Sequence, residues 1–217
     1  MSALILFDCD GTLTDSNALI VGAIRAAFVD AGLQAPDPRT ILNTLGMSLH
    51  GVLAALLKKL VVDGADIEQL AQSYRQHYWA GENEIILYPH VLETLETLRL
   101  RGYWLAIVTG KSKSGLLRVF DRFPLLDYIS AWRTADCCPS KPHPAMAYEC
   151  MQELGVTAER TALVGDACFD MRMAKAAGVR ALGVAFGADN EQILLDEGAE
   201  SVVHQFEDLL DCFPSLA

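Results

Sequence analysis

Short apolar runs that alternate with helical patterns are the feature that most constrains how this chain of 217 residues can fold. The first run, residues 3–7, is continuously apolar, which is typical of a strand that is buried on both faces of a sheet. Similar runs recur at residues 103–108, 128–132, 161–164 and 181–185, with a short edge strand expected at 201–203. Strands that alternate with helices predict an α/β fold with a parallel, Rossmann-like sheet and right-handed crossovers.

The segment between the first two runs is too long for a simple crossover. From residue 16 to residue 83 only helical patterns occur, and two of them carry apolar stripes at three- and four-residue spacing. A crossover needs one helix, whereas this segment has room for about four. An elaborated crossover packed on the sheet is one interpretation. The length favours the other, an inserted helical domain (the cap, residues 16–83) on a catalytic core made of residues 1–15 and 84–217.

The net charge and the cysteine content limit which partners and which cellular compartment suit this chain. The formal net charge is −11, because 28 acidic residues outnumber 17 Lys and Arg. Such a chain repels nucleic acid and anionic membranes, so an anionic substrate must be met by local cations or a metal. The sequence shows no signal-peptide pattern and no stretch suited to crossing a membrane. Six cysteines without a CxxC pair indicate reduced thiols, so we expect a cytoplasmic protein.

Polar side chains follow several of the predicted strands, at the edge where parallel sheets bind ligands. They comprise three carboxylates beyond the ends of the first and fourth runs, a hydroxyl and a glycine after the second, and a lysine with a further carboxylate in nearby loops: Asp8, Asp10, Asp166, Thr109, Gly110, Lys141 and Asp170. Because the ends of parallel strands meet at one edge, we expect these residues to form one site.

The residue types indicate phosphate chemistry. Asp8 and Asp166, with a backbone oxygen near Asp10, supply hard oxygen ligands that suit Mg²⁺, which would offset their repulsion of a phosphate. Lys141 and Thr109 would complete a cradle for the phosphate. One aspartate could attack phosphorus while a second, two residues away, protonates the leaving oxygen and later deprotonates water. Spacing alone does not say which of the two performs which task.

At these residues the chain resembles the haloacid dehalogenase superfamily, in particular its phosphoglycolate-phosphatase-like subgroup. The four motifs of that superfamily occur in order, as Asp8-Cys9-Asp10-Gly11-Thr12, Thr109-Gly110, Lys141-Pro142 and Gly165-Asp166 with Asp170. The resemblance covers the whole chain, including the helical insertion after the first motif. It implies a phosphatase that hydrolyses a small phosphate monoester, with phosphoglycolate as the leading candidate.

The resemblance also implies roles for individual residues. Asp8 would be the nucleophile, and Asp10 the general acid and base whose backbone carbonyl also binds Mg²⁺. Thr109 and Lys141 would hold the transferring phosphoryl group, with Gly110 beside them. Asp166 would be the main metal ligand of the fourth motif, and Asp170 would support the metal or its waters.

Two positions depart from the pattern of the family. Many relatives carry Ser or Thr where this chain has Ala167, so we expect Asp166 to lose one possible hydrogen bond and to hold metal less firmly. Cys9 stands where an apolar residue is common, and we expect it to be a small buried side chain rather than a redox sensor. In the cap, His50 or Asn43 is a candidate for contact with substrate.

The sequence leaves other functions open on this scaffold. A mutase of the β-phosphoglucomutase type is disfavoured because Ile20 stands where such enzymes have a histidine, and a dehalogenase because Asp10 and Thr109 are retained. Another phosphotransferase of the superfamily and a receiver-like signalling module that stores a phospho-aspartate are further alternatives. A sugar phosphate, a nucleotide or pyrophosphate could replace phosphoglycolate, and the protein could be a monomer or a homodimer.

Overall fold

The computed structural model describes residues 3–216 and contains one large parallel sheet. The strands are β1 (Ala3–Phe7), β2 (Thr14–Asp15), β3 (Ile86–Leu87), β4 (Tyr103–Thr109), β5 (Ala131–Thr134), β6 (Thr161–Gly165), β7 (Arg180–Val184) and β8 (Ser201–Val203). Six of them form the sheet in the order β5-β4-β1-β6-β7-β8, and every neighbouring pair is parallel. The predicted α/β fold with a parallel sheet is confirmed.

Helices connect the strands and cover both faces of the sheet. They are α1 (Asn17–Asp30), α2 (Pro38–Leu42), α3 (Leu49–Lys59), α4 (Ile67–Gly81), α5 (Val91–Leu100), α6 (Lys113–Arg122), α7 (Ala145–Leu154), α8 (Cys168–Ala177), α9 (Glu191–Asp196) and α10 (Leu209–Cys212). Within residues 3–216, no helix is both long and apolar enough to cross a membrane.

The central strand β1 explains why the first apolar run is continuous. Successive side chains of a strand point to opposite faces, and both faces of β1 are buried. Ile5 and Phe7 belong to the apolar cluster on one side of the sheet, whereas Leu4 and Leu6 belong to the cluster on the other side. A strand with helices on both faces therefore needs apolar residues at every position.

The strand predicted at residues 128–132 is shifted in the structure. Residues 124–127 form a short 3-10 helix, and the amides of Tyr128 and Ile129 both donate to the carbonyl of Leu125. Those two amides are therefore used inside the turn, and the ladder with β4 begins only at Ala131 and continues to Thr134. Apolar content alone marked the segment, but it did not distinguish a buried turn from the strand that follows it.

Helices α1–α4 fill the long connection between β1 and β4 and have an apolar cluster of their own. The α3 stripe faces inward, with Val52, Leu53, Leu56 and Leu57 all buried. The chain leaves and returns through β2 and β3, which pair antiparallel beside the first motif. The boundaries of the cap at residues 16 and 83 stay a prediction.

Candidate active site

The carboxyl edge of the sheet gathers the residues that the motifs singled out. Asp8 follows β1 directly, Thr109 is the last residue of β4, and Asp166 follows β6. Lys141 comes from the loop between β5 and α7, and Asp170 lies in the first turn of α8. Parallel strands aligned in register bring these separate parts of the chain to one place.

Lys141 forms the centre of a buried ionic cluster. Its Nζ lies 2.7 Å from Asp8 Oδ1 and 2.6 Å from Asp170 Oδ1, and all three side chains are almost completely buried. Burial raises the pKa of Asp8 from 3.8 to about 7, even though Lys141 acts in the opposite direction. Burial works against the charge of Lys141, but Asp170 and Asp8 outweigh it and raise the pKa of the lysine.

Asp166 is held by donors from two distant segments. Thr12 Oγ1 donates to Asp166 Oδ1 at 2.9 Å, and the amide of Ala188 donates to Oδ2 at 2.8 Å. Burial is the main cause that raises the pKa of Asp166, and the charges of Asp8 and Asp170 add to it. The cradle is tight, because a Cβ on Gly187 would lie 2.2 Å from Asp166 Cβ.

Three of these carboxylates fit a metal ion. Ligand atoms of Asp8, Asp166 and Asp170 all lie within 4.8 Å of one another, and all three residues are buried. Buried carboxylates that repel one another are costly unless a cation compensates them. Oxygen-only donors are the ligands that Mg²⁺ prefers. The residues therefore fit the ion that the sequence predicted.

Asp10 is fixed by partners that the sequence did not identify. Lys111 Nζ lies 2.8 Å from Asp10 Oδ1, and Ser16 Oγ donates to the same oxygen at 2.5 Å. Lys111 Nζ also donates to the hydroxyl of Tyr78, on α4 of the cap, at 2.8 Å. Burial opposes the charge of Lys111, yet Asp10 and further groups outweigh it and raise the pKa of the ammonium. Lys111 thus connects the first motif to the cap.

Thr109 and Gly110 lie at the junction of core and cap. Thr109 is buried, and its Oγ1 accepts a hydrogen bond from the amide of Lys111 at 3.2 Å. A Cβ on Gly110 would lie 2.2 Å from the carbonyl oxygen of Met47 in the loop before α3. Only glycine allows this close approach between the second motif and the cap.

A cavity of about 340 Å³ opens between the cap and this edge of the sheet. Asp8, Asp10, Thr109 and Gly110 line its inner end. His50 lies at the cap side of the same cavity, where it is exposed and its Nε2 is 2.9 Å from Glu68 Oε2. The structure therefore places His50 beside the cavity but pairs it with a cap carboxylate rather than with the core motifs. Asn43 is not among the lining residues.

The structure shows the contacts of the two residues that depart from the family pattern, Ala167 and Cys9. Ala167 offers no hydroxyl, but both oxygens of Asp166 already accept hydrogen bonds, from Thr12 and Ala188. The amide of Ala167 donates to Asp170 Oδ2 at 3.2 Å. Cys9 is fully buried in the apolar cluster beneath the site, and burial raises the pKa of its thiol to about 12. A buried thiol of that kind is a weak nucleophile, which favours the packing role.

Sequence reasoning gave no role to four residues that contact the motif carboxylates: Thr12, Ser16, Lys111 and Ala188. Thr12 and Lys111 lie inside or next to motifs, and that proximity was the only signal available. The contact of Ala188 with Asp166 spans 22 residues and uses a backbone amide, so the residue type at position 188 could not have predicted it.

Comparison with known proteins identifies the family. The sequence profile described as "Haloacid dehalogenase-like hydrolase" matches residues 5–184. The probable phosphatase IndB of Dickeya dadantii (strain 3937) is 31% identical over 217 residues, which cover 97% of this chain and 93% of that protein. A phosphoglycolate phosphatase of Pasteurella multocida (strain Pm70) is 31% identical over 216 residues, covering 95% and 96%.

A solved structure of a hydrolase from Pseudomonas syringae superposes with a TM-score of 0.89 at 26% identity, covering 96% of both chains. The chain belongs to the haloacid dehalogenase-like hydrolase family. The resemblance that the motifs suggested, and the enzyme class of a phosphoric monoester hydrolase, are thereby confirmed.

Proposed function

We propose that this enzyme hydrolyses a small phosphate monoester in a Mg²⁺-dependent reaction through a phospho-aspartate on Asp8. One observation carries the proposal: the Asp8 carboxylate lies at the end of β1, beside Lys141 and two further buried carboxylates, at the inner end of a cavity. A carboxylate, an ammonium and a metal-ligating cluster around one cavity are what phosphoryl transfer to an aspartate needs.

Asp8, Asp166 and Asp170, with the backbone carbonyl of Asp10, would hold Mg²⁺. The ion supplies positive charge that offsets the repulsion between these carboxylates and an incoming phosphate. Thr12 and Ala188 orient Asp166 through the hydrogen bonds to its two oxygens, and such outer contacts fix the direction of a metal ligand.

Different residues of the chain carry out phosphoryl transfer and proton transfer. Asp8 attacks phosphorus, a P–O bond to Asp8 forms, and the ester P–O bond breaks while Asp10 protonates the leaving oxygen. Asp10 then takes a proton from the water that attacks phospho-Asp8, the P–O bond to Asp8 breaks, and phosphate leaves with the Asp8 carboxylate regenerated. Thr109 and Lys141 bind the phosphoryl oxygens in both steps. Lys111 and Ser16 hold Asp10 Oδ1 in place.

Phosphoglycolate is the first candidate substrate, on the resemblance and on the names of relatives. A sugar phosphate, a nucleotide or pyrophosphate remain further candidates, since the motifs recognise only the phosphoryl group. Ile20 lines the cavity where a mutase of the β-phosphoglucomutase type would need a histidine, which favours hydrolysis over phosphoryl return to a sugar. The six cysteines are free thiols, which supports a cytoplasmic site of action.

The test is phosphate release from a panel of monoesters with Mg²⁺, with EDTA, and with the variant Asp8→Asn. We expect release that EDTA stops and that Asp8→Asn abolishes while the far-UV circular dichroism spectrum is unchanged. Asp63→Asn, a change at an exposed carboxylate that lies outside both the metal cluster and the cavity lining, is the control for loss of charge. Turnover by Asp8→Asn would refute the nucleophile. A persistent phospho-Asp8 without turnover would identify a receiver-like module instead.

A further inference from the structure

The cavity has more room than a two-carbon leaving group needs. Its volume of about 340 Å³ lies within the range of roughly 300–1,000 Å³ that is usual for sites that bind small ligands. The phosphoryl group would lie against Asp8 and Thr109 at the inner end. A glycolate moiety would fill only a small part of the remaining space. Unfilled apolar space contributes nothing to binding, so the volume favours a larger alcohol.

Much of the cavity wall that the cap supplies is apolar. Its lining includes Ile20, Ile24, Leu45, Met47, Val52 and Trp79, which come from α1, α3, α4 and the loop before α3. Three helices and a loop thus present hydrocarbon and an indole ring to the same space. Such a wall binds apolar groups through the area it removes from water and offers a carboxylate no compensation.

Each cationic side chain that lines the cavity already contacts a carboxylate of the protein, and two of the three share one carboxylate. Lys111 contacts Asp10 at 2.8 Å. Arg75 contacts Glu68 at 2.9 Å, and His50 lies at the same distance from that glutamate. Among the described residues, the lining offers no further Lys, Arg or His, whereas it includes the carboxylate of Asp136. A second anionic group on the substrate would therefore compete with a carboxylate of the protein for each of these cations.

We propose that the cavity selects phosphate esters whose alcohol is uncharged, largely apolar and about the size of a ring, rather than short anionic esters. The proposal rests on the phosphatase function given above but departs from its first candidate substrate, because it places phosphoglycolate, the ester that the names of relatives suggest, among the poor substrates. Met47 is the natural specificity determinant, because it is half-buried, lines the cavity and lies in the loop that meets the second motif.

The experiment measures kcat/KM of the wild-type enzyme with Mg²⁺ for four phosphate monoesters. They are benzyl phosphate, 4-carboxybenzyl phosphate, methyl phosphate and 2-phosphoglycolate. The benzyl pair differs only by a carboxylate, and methyl phosphate tests size without charge. We expect kcat/KM for benzyl phosphate to exceed that for each of the others by at least about tenfold. Equal or higher kcat/KM for 4-carboxybenzyl phosphate or 2-phosphoglycolate overturns the inference.

A variant provides a gain-of-function test that loss of folding cannot imitate. Met47→Lys adds an ammonium to the wall and should shift the ratio of kcat/KM for 4-carboxybenzyl over benzyl phosphate upward by about tenfold, whereas Met47→Leu should leave the ratio unchanged. An unchanged ratio in Met47→Lys overturns the inference. Release of phosphate from 2-phosphoglycolate alone, abolished by Asp8→Asn, rejects the substrate class but retains the proposed function. Release from none of the esters rejects both.

Discussion

The buried aspartates make a prediction about stability that is separate from turnover. Burial raises the pKa of Asp8 from 3.8 to about 7, so the folded metal-free protein binds a proton that the unfolded chain releases. A carboxyl group whose pKa is raised on folding contributes most to the free energy of unfolding below about pH 4, and this contribution is lost as the pH rises toward 7. The ionised form of Asp8 is therefore a destabilising group in the metal-free enzyme.

The substitution Asp8→Asn removes this group and keeps its shape. At about 1.4 kcal/mol per pKa unit, the shift corresponds to a penalty of about 4 kcal/mol at pH 8 and about 2 kcal/mol at pH 5. Lys141 keeps Asp170 as a partner at 2.6 Å, and the asparagine oxygen can still accept a hydrogen bond from it. We expect the variant to be more stable than wild type, by up to those amounts, in the absence of metal.

Urea unfolding in EDTA, followed by far-UV circular dichroism at pH 5 and pH 8, measures the difference. Asp136→Asn is the matched control: hydrogen bonds from Thr134 and the Lys113 amide outweigh partial burial and lower the pKa of Asp136, so its replacement should not stabilise. Added Mg²⁺ should reduce the advantage of Asp8→Asn, because binding to the wild-type cluster favours the folded state. A variant that is less stable than wild type at pH 8, or equally stabilised at both pH values, would refute the reasoning.

Two further predictions concern the contacts around the site. Thr12→Val removes the hydroxyl that donates to Asp166 Oδ1 and should weaken the apparent affinity for Mg²⁺ about tenfold to a hundredfold, whereas Thr12→Ser should retain the wild-type affinity. Isothermal titration calorimetry with Mg²⁺ measures the three affinities. Equal values for the wild type and both variants would contradict the role of the hydroxyl. Gly110→Ala places a Cβ against the carbonyl of Met47 and should lower kcat/KM at least about tenfold. Gly22→Ala is the control and should leave kcat/KM unchanged, because nothing lies within 4 Å of the added Cβ. Wild-type kinetics in Gly110→Ala would show that the two loops need not approach each other.

Most of the fold was predictable because burial dictates composition. A strand covered on both faces must be apolar at each position, and β1, β4, β6 and β7 obey that rule closely enough to be seen. The failure at β5 has the same cause. A buried 3-10 turn before Ala131 is as apolar as the strand, so hydrophobicity marked the segment but not its boundary.

The site was predictable for a different reason. Parallel strands end at one edge, so residues that follow Phe7, Val108 and Val164 in the sequence meet in space. The partners of those residues were not predictable. Thr12 contacts Asp166 across 154 positions and Lys111 contacts Tyr78 across 33, and neither separation follows from a motif. The Lys111–Tyr78 contact depends on how the cap lies on the core, and the Thr12–Asp166 contact depends on how the loops after β1 and β6 fold beside each other; the local pattern encodes neither.

The charges of the site show why its lysines and a metal belong together. Four carboxylates, Asp8, Asp10, Asp166 and Asp170, lie near two ammonium groups, Lys111 and Lys141. With all of them ionised the excess is two negative charges, and it falls mainly on the buried cluster, since Asp10 is matched by Lys111. A phosphate dianion would add to that excess in a medium where unpaired charge is costly. A divalent cation removes the excess, so the same acidic cluster that repels substrate in the bare protein would accept it once the ion is bound.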